Sequence, residues 1–154
     1  MLLLLFKIGK DRYALPASKT IEVVPLVSLK RIPQTPAGVA GIFNYHGQPV
    51  PVIDLSELAL GTPCEPRVST RIILVHYPHR QDRKQILGLM AEQTSETIQR
   101  GKTDFLNAGV AVKTAPYLGA VIMDARGIIQ CVEVEHLLSQ PLREMLFEQT
   151  VQQA

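Results

Sequence analysis

The stretch Gly38–Leu58 reads GVAGIFNYHGQPVPVIDLSEL and carries the clearest structural pattern in the chain. Apolar positions alternate with others on both sides of His46-Gly47, which is typical of two half-buried strands. Glycine at the centre favours a bend that needs positive φ. The stretch therefore predicts a β-hairpin with its turn at His46-Gly47. It contains no nucleophile, no paired carboxylates and no cluster of metal ligands, which favours binding over catalysis.

The composition indicates one globular domain of ordinary size. The 154 residues are 46% hydrophobic and 19% charged, so the chain has enough apolar material for a core. A formal net charge of +2 is too small to indicate nucleic acid or an acidic membrane as the partner. Cys64 and Cys131 are far apart in sequence, which favours two reduced thiols and leaves a disulfide open.

The first residues, MLLLLFKIGK, predict an opening strand over Leu2–Ile8 rather than a targeting segment. The apolar run ends at Lys7, and it is shorter than the apolar core of a signal peptide or a membrane helix. We therefore expect a cytoplasmic protein.

Further strands are predicted along the whole chain, with glycine, proline and aspartate between them, as in small antiparallel barrels. The predicted runs are Arg12–Leu15, Ile21–Val24, Val27–Ile32, Arg71–Tyr77, Gln85–Ala91, Leu118–Met123 and Ile128–Val134. Residues 61–66 predict a junction, and residues 101–114 predict a loop.

Two helices are predicted. Thr35 before Pro36 is typical of a helix start and predicts a short helix toward Ala40. Near the end, helical spacing of apolar residues predicts a helix that packs against the body through Leu138, Leu142, Met145 and Leu146.

A weak internal repeat indicates two similar halves rather than one large sheet. A turn glycine, a strand valine and a leucine recur with the same offsets, as Gly47, Val52, Leu58 and again as Gly127, Val132, Leu138.

The residue types of common active sites are present without their motifs. No serine lies in a G-x-S-x-G elbow, and no phosphate-binding glycine loop occurs. His76 and His79 flank a predicted hairpin tip without further metal ligands, and His136 is predicted to be exposed on a short helix. Asp54 is predicted to cap the next turn or helix. We therefore expect no catalytic residues, no cofactor and no metal.

Nucleic-acid binding is the alternative function for a small barrel. Such surfaces combine basic grooves with aromatic side chains on which bases stack. Here the basic residues are scattered, and Phe43 and Tyr45 share a strand face with no basic residue between them, so core packing explains them. A partner-binding surface remains, and Ile21–Pro25 has the proline that an edge strand tolerates at its end. The alternative is an ordinary half-buried strand, and composition alone does not decide between the two.

These motifs resemble those of CheW-like domains. The family's hairpin signature, G-hydrophobic-x-N-x-R-G followed by P-hydrophobic-hydrophobic-D-L, is similar to the residues from Gly41 to Leu55. Similar family patterns cover most of the remaining chain, at Tyr13–Pro16, Ile21–Val23, Thr70–Val75 and Leu87–Glu92.

The resemblance implies a mainly β fold of two five-stranded SH3-like β-barrels around a shared core. The expected bounds are a first barrel over about 1–62, a second over about 67–134 and a C-terminal helix over about 135–149. It implies a non-enzymatic adaptor that couples the tips of chemoreceptors (methyl-accepting chemotaxis proteins) to the regulatory domain of a CheA-type histidine kinase. The chain would lie in the cytoplasm, in membrane-receptor arrays. Carried over from the family, the partner-binding residues are Thr20, Ile21, Glu22, Val24, Gly41 and His46.

One position departs from the family pattern. The family usually has arginine before the turn glycine, where this chain has His46, and it keeps the upstream acid as Glu22. Arginine is always charged and can bind a carboxylate with two hydrogen bonds, whereas histidine changes charge near neutral pH. One hypothesis is that the adaptor serves a divergent, non-motility pathway. The other is that a Glu22–His46 contact persists and is pH-sensitive.

Overall fold

A computed structural model describes residues 1–79, 83–107 and 115–148 of the chain. These residues form a mainly β fold, as the sequence predicts. The strands are β1 (Leu2–Ile8), β2 (Asp11–Pro16), β3 (Thr20–Pro25), β4 (Val39–Tyr45), β5 (Gln48–Asp54), β6 (Arg71–His79), β7 (Arg83–Gln99), β8 (Leu118–Asp124) and β9 (Gly127–Val132). The α-helices are α1 (Leu55–Leu60) and α2 (Gln140–Arg143), and the remaining helical turns are Ala17–Lys19, Lys102–Asp104, Val134–His136 and Glu144–Glu148.

The strands form two sets that share β7. In the first set the order is β3-β6-β7-β5-β4, and in the second it is β7-β1-β2-β9-β8. Each set has the same sequence of pairings: two antiparallel, one parallel and one antiparallel. The last strand in each order, β4 or β8, also has one isolated bridge. The bridges join Lys30 to Ile42 on β4 and Leu106 to Val121 on β8.

These matching pairings explain the weak internal repeat. Gly47 lies in the β4–β5 turn, and Gly127 is the first residue of β9 after the β8–β9 turn. The strand after each turn pairs in parallel with an inner strand of its set. The pairing interleaves the two ends of the chain, because β1 and β2 join β8 and β9 in the second set. Each strand set therefore contains strands from both predicted ranges, about 1–62 and about 67–134. Where each barrel ends stays a prediction.

The opening run of leucines shows how one strand serves two cores. Side chains of a strand alternate between its faces. In β1, Leu4 and Phe6 point into a central cluster between the two sets, whereas Leu3 and Leu5 point into a cluster inside the second set. A third cluster, around Val52, lies inside the first set. The central cluster is the shared core that the family resemblance implies.

The C-terminal segment covers the central cluster. Ser139 accepts a hydrogen bond from the Leu142 amide at 3.3 Å and so caps α2. The predicted apolar face packs inward, since Leu138, Leu142 and Leu146 are buried in the cluster and Met145 packs against it. The regular helix begins only at Gln140, after a separate turn at Val134–His136, and residues from 149 onward lie outside the described residues.

Two predicted elements before the hairpin are wrong. Val27–Ile32 is not a strand, and only Lys30 makes a bridge there. No helix begins at Thr35, because its hydroxyl donates back to the Ile32 carbonyl at 3.2 Å instead of accepting from a helical amide. Gly38, at φ 102°, then turns the chain into β4.

Parts of two predicted loops cannot be compared with the structure. Residues 80–82 of the predicted β6–β7 tip and residues 108–114 of the predicted loop lie outside the described residues. No helix within the described ranges is long and apolar enough to cross a lipid bilayer.

A paired charge across the second set gives a testable contribution to stability. Arg12 donates two hydrogen bonds to Asp124, at 2.8 Å and 2.6 Å, and both side chains are largely shielded from solvent. The hydrogen bond from Arg12 lowers the pKa of Asp124 below its usual range. A carboxyl with a lowered folded-state pKa contributes stability above the unfolded pKa, about 4, and loses it as pH falls further.

We therefore expect Asp124→Asn to lower the thermal unfolding midpoint at neutral pH. On acidification, the midpoint of this variant should fall less than that of the wild type. The matched control is Glu65→Gln, because Glu65 pairs with Arg67 at a well exposed site and such pairs contribute little. Midpoints measured by circular dichroism between about pH 3 and about pH 7 test this. Equal pH dependence in wild type and Asp124→Asn would contradict it.

Candidate partner-binding surface

Strand β3 is an edge strand, which is one of the two alternatives that the sequence leaves open. It pairs with β6 through residues from Thr20 to Pro25, and it ends the strand order of the first set within the described residues. Ile21 and Val24 are half-buried and pack against the first-set cluster, while Glu22 between them is exposed. Ile21 and Val24 are three residues apart, so in a regular strand their side chains would lie on opposite faces. The register shift between Thr20 and Glu22 lets both pack against the same cluster. The strand thus presents an open backbone edge and one carboxylate.

The β4–β5 turn has the geometry that the sequence predicts. His46 and Gly47 both have positive φ, 52° and 85°, which matches the two-residue turns that suit twisted hairpins. The Asn44 side chain accepts a hydrogen bond from the Gly47 amide at 2.6 Å and closes the turn. His46 is therefore held exposed at the tip of the hairpin.

Tyr45 links this turn to β3. Its hydroxyl donates a hydrogen bond to Oε1 of Glu22 at 2.5 Å, although β3 and β4 do not pair with each other. The bond to the carboxylate raises the pKa of Tyr45, because it favours the protonated phenol. The imidazole of His46 lies edge-on to the Tyr45 ring, with 4.4 Å between ring centroids.

The predicted Glu22–His46 contact is replaced by this arrangement. Within the described part of the chain, Glu22 makes its hydrogen bond to Tyr45, and no ion pair joins it to His46. The phenol is one residue before the histidine and long enough to reach the carboxylate. A pH-sensitive Glu22–His46 bond is therefore not formed in this structure.

Gly41 lets the chain before β4 approach closely. A Cβ atom at Gly41 would lie 2.5 Å from the backbone oxygen of Lys30, and φ at Gly41 is 149°. Lys30 and Ile42 exchange two backbone hydrogen bonds of 2.8 Å at this point. Thr20, at the other end of the predicted set, uses its hydroxyl locally to bond the Ala17 carbonyl at 2.6 Å.

The structure thus brings together only some of the predicted residues. Glu22 and His46 both contact Tyr45. Ile21 and Val24 anchor β3 to the first-set cluster. Gly41 allows the close approach to the Lys30 backbone. Sequence reasoning missed Tyr45 as a polar contact, because Phe43 and Tyr45 share a face and both pack against the first-set cluster. The sequence signal for this polar contact was the position of Tyr45 next to the turn, because a phenol hydroxyl there can reach solvent.

Asp54 has the structural role that the sequence predicts. It is 4% exposed, and Oδ1 accepts from the Glu57 amide at 3.1 Å as the N-cap of α1. Its other oxygen accepts from the Cys64 amide at 2.9 Å. Both oxygens are used by backbone donors, so this carboxylate holds the hairpin, helix and following loop together.

The two cysteines lie in separate places as free thiols. Cys64 packs against the first-set cluster, and Cys131 packs against the cluster inside the second set. Burial raises the pKa of Cys64 to about 12 and that of Cys131 to about 11. At neutral pH both are protonated and unsuited to nucleophilic chemistry.

His136 is exposed at the end of a short helical turn, as predicted. Its Nδ1 lies 2.8 Å from a Glu133 carboxylate oxygen, and Glu135 is also nearby. Exposed groups of this kind are common on protein surfaces, and the arrangement does not by itself make a metal centre.

Comparison with known proteins points to one family throughout. The profile of the CheW-like domain family matches residues 2–142. A chemotaxis protein CheW of Helicobacter pylori is 33% identical over 100 residues, which cover 64% of this chain and 57% of that protein. A probable chemotaxis protein CheW of Rhizobium etli is 25% identical over 96 residues, covering 62% and 59%. The alignments thus span less than two thirds of these relatives' lengths.

The fold is also similar to a solved structure. The crystal structure of the scaffolding protein TtCheW from Thermoanaerobacter tengcongensis superposes with a TM-score of 0.78 at 25% identity. The similarity covers 90% of this chain and 87% of that one.

The close approach at Gly41 predicts a large effect of a small substitution. Gly41→Ala should lower the free energy of unfolding by more than about 2 kcal/mol, because the new methyl group meets the Lys30 backbone. Gly47→Ala is the matched control. It has positive φ but nothing within 4 Å of the added Cβ, so we expect a loss of only about 1 kcal/mol. Urea denaturation measures both, and equal losses would contradict the assignment.

The raised thiol pKa values predict slow alkylation of the folded protein. A raised pKa lowers the thiolate fraction, and the thiolate is the species that reacts. At about pH 8, iodoacetamide should modify Cys64 at least about a hundredfold more slowly in the native protein than in urea. Mass spectrometry after peptide digestion follows each cysteine separately. Similar rates in the folded and unfolded protein would show that the thiol is not buried as described.

Proposed function

Since the chain belongs to the family of CheW-like domains, we propose that it is a non-enzymatic adaptor that couples chemoreceptors to a CheA-type histidine kinase. The observation that carries the proposal is the exposed edge of β3, joined to the β4–β5 turn within a family match that covers nearly the whole chain. In this proposal the protein works in the cytoplasm, within membrane-receptor arrays.

The kinase contact in this proposal is the surface formed by β3 and the β4–β5 turn. An exposed strand edge can pair with another chain through main-chain hydrogen bonds, while side chains give specificity. Glu22 and His46 are exposed on this surface, and Ile21 and Val24 are held by the core beneath it. The regulatory domain of the kinase is the partner that we propose for this surface.

The receptor contact in this proposal is a groove at the junction of the two sets. It has a volume of about 390 Å³ and lies above the central cluster. The lining residues include Ala37, Leu58, Tyr117, Leu142 and Met145. An apolar groove of this kind suits the apolar face of a helix, which is the form of a receptor's hairpin tip.

An adaptor of this type transmits a signal through differential binding. A receptor can shift the kinase between states only if the contacts made through the adaptor differ in free energy between those states. The proposal therefore requires two separate surfaces on one rigid body. The comparisons give no support to the nucleic-acid alternative, because the family match, the relatives and the similar solved structure are all CheW proteins or CheW-like domains.

Binding measurements with surface variants test the proposal. Purified protein should bind the regulatory domain of its CheA-type kinase, measured by isothermal titration calorimetry, and absence of binding at tens of micromolar would contradict the proposal. Glu22→Lys should weaken kinase binding by about tenfold or more and leave receptor binding unchanged.

The groove is tested in the same assay by Ala37→Glu. This exposed position lines the groove, so a charge there should weaken receptor binding and leave kinase binding unchanged. Val68→Glu is the matched control, because Val68 is 93% exposed and does not line the groove. Loss of receptor binding in Val68→Glu but not in Ala37→Glu would place the receptor site elsewhere.

A further inference from the structure

The bond between Tyr45 and Glu22 joins two strands that have no ladder between them. β3 and β4 are the two ends of the first set, and each pairs with a different inner strand. The 2.5 Å hydrogen bond from the Tyr45 hydroxyl to Oε1 therefore fixes the Glu22 carboxylate relative to the β4–β5 turn. Without it, an exposed glutamate on an edge strand would sample several rotamers.

The Tyr45 ring is itself held in place. Phe43 lies on the same face of β4, with 6.3 Å between ring centroids, and the His46 imidazole lies edge-on at 4.4 Å. Tyr45 also packs against the first-set cluster. The hydroxyl is thus presented to Glu22 by a ring that other side chains already restrain.

The bond leaves the negative charge of Glu22 available. The donor is a neutral phenol, so the carboxylate keeps its charge, and an ionised carboxylate has about four acceptor positions across its two oxygens. Within the described residues no ion pair involves Glu22, and the bond to Tyr45 uses Oε1. A fixed, exposed carboxylate of this kind matches a lysine or arginine side chain of a partner.

We propose that Tyr45 is a positioning residue for partner recognition: it holds the Glu22 carboxylate in place to receive a basic side chain of the kinase regulatory domain. The inference rests on the proposed function and adds to it a named contact and its chemistry. Tyr45 acts through Glu22, and the preorganised charge costs less conformational entropy on binding than a mobile one.

The test compares wild type, Tyr45→Phe, Glu22→Gln and the double variant in binding to the kinase regulatory domain. Tyr45→Phe keeps the ring and removes only the hydroxyl, so binding should weaken roughly three- to tenfold. Glu22→Gln should weaken it at least as much, and the double variant should be no weaker than Glu22→Gln alone. Additive losses would overturn the inference, because they would mean that the two groups act independently.

Salt dependence separates this role from a purely structural one. Between about 50 mM and about 300 mM salt, wild-type affinity should fall because charges attract across the interface. Glu22→Gln should lose most of that dependence, and Tyr45→Phe should lose part of it. A Tyr45→Phe variant with wild-type affinity and wild-type salt dependence would overturn the inference.

Two further variants keep the result interpretable. Glu22→Asp keeps the charge but shortens the side chain. It should show the same loss of kinase binding as Tyr45→Phe, and it takes the place of Tyr45→Phe in the comparison if Tyr45→Phe folds poorly. Tyr13→Phe is the matched control, because Tyr13 lies in the second set beside Phe6 and should bind as wild type. Wild type that fails to bind contradicts the proposed function, whereas wild type and Tyr45→Phe that bind equally contradict only the role of Tyr45.

Discussion

Strand β7 belongs to both strand sets, and this sharing fixes how the two sets pack together. Residues 83–91 pair with β6, and part of this stretch also pairs with β5, whereas residues 92–99 pair with β1. The strand changes direction at Gln93, where φ is 48°, and three residues of β7 lie opposite one of β1. The buried Thr94 hydroxyl bonds the Ala91 carbonyl at 3.2 Å and supports the bend. Because one strand serves both sets, both pack on the same central cluster.

This sharing also decides where the proposed partner-binding surface lies. With β7 in the middle of the order, β3 and β4 become the two ends of the first set. Within the described residues, the Tyr45–Glu22 hydrogen bond links these two strands, and Lys30, in the segment between them, bridges to Ile42 of β4. The surface therefore has a rigid base in the buried first-set cluster and polar groups held by a few specific contacts. Such a surface suits a scaffold, whose task is to fix the geometry of its partners.

Several elements could be predicted because local pattern and tertiary packing agree. The hairpin turn and the capping role of Asp54 are of this kind. The continuity of β7 was missed, since the polar residues from Glu92 to Ser95 interrupt its apolar alternation at the bend. The false helix at Thr35 shows the opposite case, in which a local start signal is overridden because the chain must turn into β4. The Tyr45 contact was missed because Tyr45 shares a face with Phe43, and because its bond to Glu22 joins two strands that do not pair with each other.

Hydrogen exchange with and without the kinase regulatory domain tests whether β3 and the β4–β5 turn form the kinase-binding surface. Backbone amides on an open strand edge exchange readily, and pairing with a partner protects them. We expect new protection on complex formation at residues 20–24 and at residues 44–47, with little change in the β8–β9 hairpin. Protection at β8–β9 with β3 unchanged would contradict the assignment of this edge and turn as the kinase-binding surface.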